Sequence, residues 1–173
     1  MKPDEIRALQ APLKDRYRKD PTAAVVTLRA SGRMGAETVT CNVATGRALV
    51  EAGLHPATGG SGLALCSGDM LLEALVACAG VTCGAVASAM GIAIGEGTVT
   101  AEADIDFRGT LGIDKSVPVG FRAIRLGFHL VTSAPAEQVA KLLELTERYC
   151  VVYQTLVQSP PVTVSHTVAA PTP

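Results

Sequence analysis

The chain has 173 residues, 48% of them hydrophobic but only 3% aromatic with no Trp, so a single domain, with or without a short appendage, must build its core from Ala, Val, Leu and Ile. Lys and Arg number 15 against 16 Asp and Glu, a formal net charge of -1 that leaves no basic excess for a phosphate backbone and excludes nucleic acid as an expected partner. The start, Met1-Lys2-Pro3-Asp4-Glu5, lacks the apolar stretch of a secretory signal, which predicts a cytoplasmic protein whose thiols are mostly reduced.

Asp4 to Lys19 reads as an amphipathic helix with Ile6, Leu9 and Leu13 on one stripe, bent or ended by Pro12 and stopped by Asp20-Pro21. Residues 1–21 are therefore expected to form a helical extension, and residues 22–173 the main domain. Thr22 to Ala30 reads as a strand, Ser31-Gly32-Arg33-Met34-Gly35 as a turn, and Glu37 to Ala44 as the hairpin partner. A third short strand is expected over Arg47 to Glu51, followed by an irregular Gly-rich loop from His55 to Gly62. That loop is followed by no Lys-Ser or Lys-Thr pair, so it is not read as a phosphate loop.

Ala74 to Gly95 is an uncharged run of small residues. Its length would suit a bilayer, but it is rich in Ala and Gly, is entered through Asp69 and Glu73, and has no flanking Lys or Arg. It is expected to be a helix buried on all sides, with Ser67 as N-cap, Asp69 in the first turn and Gly91 at its end. Core helices built from small residues pack closely and often against a partner subunit.

Thr98 to Phe107 alternates, with Val99, Ala101, Ala103, Ile105 and Phe107 on one face. Phe121 to Thr132 alternates with Ile124, Leu126, Phe128 and Leu130 inward, so the two predict a hairpin around a loop at 108–119. Ala136 to Arg148 repeats at Val139, Leu142, Leu143 and Thr146, an amphipathic helix introduced by Pro135. A short helix over Tyr153 to Val157 and an edge strand over Val162 to Val168 complete the series. The order of strands, helix, strands, helix and strand defines an α+β fold, not a doubly wound one.

The five cysteines are Cys41, Cys66, Cys78, Cys83 and Cys150, an odd number at irregular spacing and no disulfide framework. Neither they nor the scattered His55, His129 and His166 carry metal-ligand spacing, and no cofactor or metal is expected. A free cysteine in a helix is most often packing, which suits Cys83, some 140° around the helix from Cys78, and Cys41 in a strand. Cys78 within the central helix and Cys150 just past the next one have instead the look of a two-thiol redox pair, with Cys66 as an alternative second thiol.

Three segments resemble the OsmC-like family of osmotically inducible and organic-hydroperoxide-resistance proteins. Met70-Leu71-Leu72-Glu73-Ala74-Leu75-Val76-Ala77-Cys78 is similar to the start of its buried helix, Cys150-Val151-Val152-Tyr153-Gln154-Thr155-Leu156 to its second-cysteine motif, and Ser31 to Gly35 to its arginine-bearing turn. The resemblance implies antiparallel sheets wrapped around a buried Ala/Gly-rich central helix in an intertwined homodimer, with each site at the subunit interface. It implies a peroxidatic Cys78, a resolving Cys150, an Arg33 that holds the thiolate and orients the peroxide, and an external dithiol as reductant. The chain departs from the pattern at Gly68, where a glutamate is expected with Asp69 as its nearest substitute, and at Val151, where proline is usual. Those departures keep open a second reading, a noncatalytic dimeric module that binds a small apolar or electrophilic ligand.

Overall fold

The structure, a computed structural model, describes residues 4, 19, 32–34, 40–44, 49–112 and 114–169, with the backbone alone at 32–34, 40–44, 49 and 108. The expected leading helix, apart from Asp4 and Lys19, and the expected strand at 22–30 lie outside the described residues.

Four short strands form the first sheet, in the order β1 (Gly32–Met34), β2 (Thr40–Ala44), β3 (Leu49–Gly53) and β4 (Leu65–Cys66). The first three are antiparallel neighbours, with Arg33 opposite Asn42 and Asn42 opposite Glu51, whereas β4 runs parallel to β3. Residues 32–34 are thus strand and not the turn that their glycines predicted. Gly32 tolerates extended backbone as readily as a turn, and pairing with β2 decides between them. The parallel return to β4 needs the loop at 54–64. His55 Nδ1 accepts the Ala57 N–H at 3.1 Å there and caps a single 3-10 turn, Pro56–Thr58, which Gly59 closes at φ 91°.

Helix α1 runs from Ser67 to Met90. Its N-cap is Cys66, one residue before the expected Ser67, and Asp69 lies in the first turn as predicted. Gly91 ends the helix in the left-handed conformation, φ 71°, its N–H bonded to the Ala87 carbonyl. Strands β5 (Glu96–Ile105) and β6 (Phe121–Val131) form an antiparallel hairpin with Val99 opposite Phe128 and a register shift at Asp104/Ile105. The connection contains a one-turn helix, α2 (Phe107–Thr110), so Phe107 leaves the strand in which the alternation had placed it. Helix α3 (Ala136–Tyr149) and helix α4 (Val151–Val157) follow, and Cys150 is the corner between them.

The hairpin alternates as its sequence requires, and Arg125 on its outer face holds Asp104 across the strands with Nη2–Oδ1 at 2.9 Å. That guanidinium pulls the Asp104 carboxyl below the ordinary carboxylate range in an exposed ladder. The inner face meets α1 and α3 in a core of Cys83, Ala87, Ile92 and Leu142, joined by Phe128 and Leu130. Complete burial of a leucine such as Leu142 contributes about 2 kcal/mol before entropy is counted.

Within one chain, α1 buries only the stripe Leu75, Ala79, Cys83 and Ala87, one residue per helical turn. The expected burial is met on this one stripe within a single chain. Ala74, Ala77, Val81, Gly84 and Ala85 on the remaining surface are exposed, and none of the described residues covers that side. By length and composition α1 could cross a bilayer, yet its buried stripe packs on α3 and β5 as a core helix does. The expected edge strand at 162–168 is corrected too. The segment carries no strand pairing, and Val162, Val164 and Val168 stand 84–91% exposed.

Candidate active site

Cys78 lies near the middle of α1, three residues beyond Leu75, which anchors that turn in the core. Cys150 is held by the chain reversal between α3 and α4: its N–H bonds to the Thr146 carbonyl at 2.9 Å and its carbonyl accepts the Gln154 N–H at 2.9 Å. Thr146 is itself fixed, with its buried hydroxyl donating to the Leu142 carbonyl at 2.8 Å. Packing of α3 and α4 on α1 therefore sets the corner directly against Cys78.

The two thiols meet there. Burial pushes the Cys78 thiol up, but the backbone N–H of Val152, the Cys150 thiol, the backbone N–H of Val151 and the Thr82 hydroxyl all donate toward its sulfur. The donors win, and Cys78 sits below the ordinary thiol range. Burial raises the Cys150 thiol, and the Cys78 sulfur raises it further, against the opposing N–H dipoles of Tyr153 and Val152. Of the two, Cys78 is therefore the thiol that ionises more readily. Accessibility divides in the same sense: Cys78 is partly exposed, and Cys150 is 1% exposed. One sulfur is reachable from outside and the other is shielded beside it.

Sequence reasoning missed the source of this activation. It assigned the thiolate's support to Arg33 through the family resemblance and passed over the start of α4, whose first N–H groups have no partner one turn back. The available signal was the short helix beginning immediately after Cys150. Thr82, one turn after Cys78 on the same face of α1, was also missed.

The remaining candidates fall elsewhere. Arg33 is on β1 opposite Asn42, and its side chain lies outside the described residues. Among the described residues, no cationic side chain contributes to the shift of Cys78. Cys66 stands twelve residues before Cys78 on a helix rising 1.5 Å per residue, about 18 Å away along the axis, so it does not pair with Cys78 within one chain. Asp69 is about 13 Å away by the same measure. Gly68 is tightly surrounded: a Cβ there would meet the Phe121 ring at 3.2 Å and the Cys66 sulfur at 3.6 Å. An aromatic ring therefore occupies the space beside the position where the family resemblance expects a carboxylate. Cys83 is buried, its thiol raised by desolvation beside the Thr146 hydroxyl, and packs as the sequence predicted.

A cavity of about 840 Å³ opens at the start of α1, lined by Leu54, His55, Cys66, Asp69, Phe107 and Phe121 among others. His55 stacks on Phe107 in its wall, with centroids 4.9 Å apart. Among the described residues no cluster of three or more His, Cys, Asp or Glu side chains is arranged to hold a metal ion.

An α+β chain that lays two thiols together between a long small-residue helix and a helix corner belongs to a recognisable class. The sequence profile described as OsmC-like protein matches residues 59–165, and the chain belongs to that family. Solved structures share the fold. An OsmC-like protein from Mycoplasma pneumoniae is 15% identical, with a TM-score of 0.64 over 78% of this chain and 89% of that one. An organic hydroperoxide resistance protein OsmC from Legionella pneumophila is 17% identical, with a TM-score of 0.60 over 78% and 92%. An organic hydroperoxide resistance protein from Elizabethkingia anophelis, crystallised with thiocyanate, is 20% identical, with a TM-score of 0.57 over 79% and 91%. No curated protein sequence matches the chain significantly.

Proposed function

We propose that the protein is a thiol-dependent peroxidase for organic hydroperoxides, with Cys78 as the peroxidatic and Cys150 as the resolving thiol. The observation that carries this reading is the packing of the Cys150 corner against Cys78 on α1, an environment that lowers the Cys78 thiol and raises that of Cys150. The Cys78 thiolate attacks the distal peroxide oxygen. The O–O bond breaks, the alkoxide takes a proton and leaves as the alcohol, and Cys78 becomes a sulfenic acid. The Cys150 sulfur then displaces water from that sulfenic acid to form the disulfide, which an external dithiol reduces in two exchange steps. Arg33 would orient the peroxide and add positive charge at the thiolate.

The working unit in this reading is a cytoplasmic homodimer. The exposed Ala74, Ala77, Val81, Gly84 and Ala85 surface of α1 is the natural contact, since apolar surface left open by one chain suits a second copy. Consumption of cumene hydroperoxide in the presence of dithiothreitol or dihydrolipoamide tests the proposal. Turnover should vanish in Cys78→Ser, and undiminished turnover in that variant would refute it.

The cavity beside Gly68 favours one second reading, a noncatalytic module that takes a small apolar or electrophilic ligand between His55, Phe107 and Phe121. Peroxide turnover by the wild-type protein removes it.

A further inference from the structure

The corner that carries Cys150 is closed by side chains of α4. Helix α3 stops at Tyr149, so its last carbonyls lose the N–H groups that a further turn would bring. The Thr146 carbonyl accepts the Cys150 N–H at 2.9 Å, but among the described residues no backbone N–H from beyond α3 reaches the Glu147 carbonyl. The Gln154 side chain supplies the missing donor, its Nε2 donating to the Glu147 oxygen at 2.9 Å. The main-chain N–H of the same residue donates to the Cys150 carbonyl at 2.9 Å. Gln154 therefore grips both sides of the reversal, the end of α3 with its side chain and Cys150 with its backbone. The Tyr153 hydroxyl adds a second tie, donating to Glu147 Oε2 at 3.3 Å. Glu147 is exposed and Gln154 only partly buried, so these bonds add to the packing of α4 on α1 in setting the angle at which α4 leaves α3.

We infer that Gln154 is a positioning residue for the resolving step, its side-chain amide holding the α3–α4 corner so that the Cys150 sulfur stays within reach of Cys78. The inference rests on the reading of Cys150 as the resolving thiol, and its test uses thiol exchange in place of peroxide. Glutathione disulfide is the oxidant. The Cys78 thiolate attacks one of its sulfurs, the S–S bond breaks, one glutathione leaves and a mixed disulfide forms on Cys78. The Cys150 thiolate then attacks the Cys78 sulfur, expels the second glutathione and closes the internal disulfide. Two electrons pass from the two cysteines to glutathione disulfide, and their two protons end on the glutathione thiols. Gln154 acts on the placement of Cys150, so its loss should spare the first step and slow the second.

In the experiment, fully reduced protein is mixed with glutathione disulfide near neutral pH and quenched with N-ethylmaleimide at intervals, and the Cys78 and Cys150 peptides are followed by mass spectrometry. Gln154→Met keeps an unbranched chain of similar length and lacks the donor. It should form the mixed disulfide on Cys78 at the wild-type rate and close the internal disulfide about fivefold more slowly, the loss expected for one neutral hydrogen bond. Gln154→Lys, whose ammonium restores a donor on a chain long enough to reach the Glu147 carbonyl, should recover closure. A residue that merely stabilised the fold would change both steps alike or neither. Closure in Gln154→Met at the wild-type rate, an equal slowing of both steps, or a Gln154→Lys variant as slow as Gln154→Met overturns the positioning role. Should circular dichroism show Gln154→Met unfolded, Gln154→Glu, of the same shape with an acceptor in place of the donor, takes its place and the same outcomes decide. Failure of the wild type to consume hydroperoxide would defeat the peroxidase reading while leaving this exchange intact.

Discussion

The Cys150 thiol lies beside the Cys78 sulfur and is raised above the ordinary thiol range, because burial and the neighbouring sulfur both oppose its ionisation. The pair is thus asymmetric, and in the proposed cycle that asymmetry suits Cys78 to attack first.

Alkylation should follow that asymmetry. At pH 7, with iodoacetamide limiting, Cys78 should be modified first, and Cys150 and Cys83, both raised by burial, last. The pH profile of Cys78 should have its midpoint below those of Cys150 and Cys83. The linked effect on stability carries a definite sign. A thiol whose folded value is lowered adds stability above its unfolded value and loses it as the pH falls through the folded value, whereas Cys150 and Cys83 lose theirs as the pH rises through their raised values. Peptide mapping that found Cys150 labelled ahead of Cys78 would contradict this assignment.

Removing the resolving thiol should separate the two halves of the cycle. Cys150→Ser should still consume about one equivalent of hydroperoxide per site, because attack needs only Cys78, and should then stall as sulfenic acid. Dimedone should add to Cys78 in that variant and much less in the wild type, and excess peroxide should drive it on to the sulfinic state. Sustained turnover at the wild-type rate would show that another thiol resolves.

The open surface of α1 should govern assembly. Val81, 76% exposed in one chain, is central to it. Val81→Asp should convert a dimer to a monomer in light scattering, since an unpaired carboxylate at an apolar contact is costly. A wild-type protein that is monomeric at micromolar concentration would refute that role for the surface.

Leu142 lies at the centre of the packing that carries the α3–α4 corner and has no exposed surface. Leu142→Ala should cost about 3 kcal/mol in urea denaturation. Because the same packing sets Cys150 against Cys78, this variant should also blunt the preference for alkylating Cys78.

Much of this arrangement was legible in the chain, and the exceptions have physical reasons. β5, β6 and α3 each carry a sustained period of 2 or 3.6, and α1 showed itself as a long run without charge closed by Gly91. Gly32 misled because glycine suits a turn and a strand alike, and pairing with β2 decides between them. The strand expected at 162–168 has the right alternation, but a strand also needs a neighbour, and alternation does not supply one. At the site, the two cysteines and the small-residue helix between them and the sheet were readable from side-chain type and spacing. The amide donors of Val151 and Val152 were not, because a backbone N–H has no letter in the sequence and gains its role only when α4 docks against α1.

Cys78 is anchored at both ends of its turn by the hydrogen-bond ladder of a 24-residue helix, whereas Cys150 occupies a hinge where one helix stops and another begins. Closing a sulfur–sulfur bond therefore draws the hinge toward the rod. The oxidation state of the pair should be written in the chemical shifts of Tyr149 to Tyr153, while those of Leu75 to Thr82 stay nearly still.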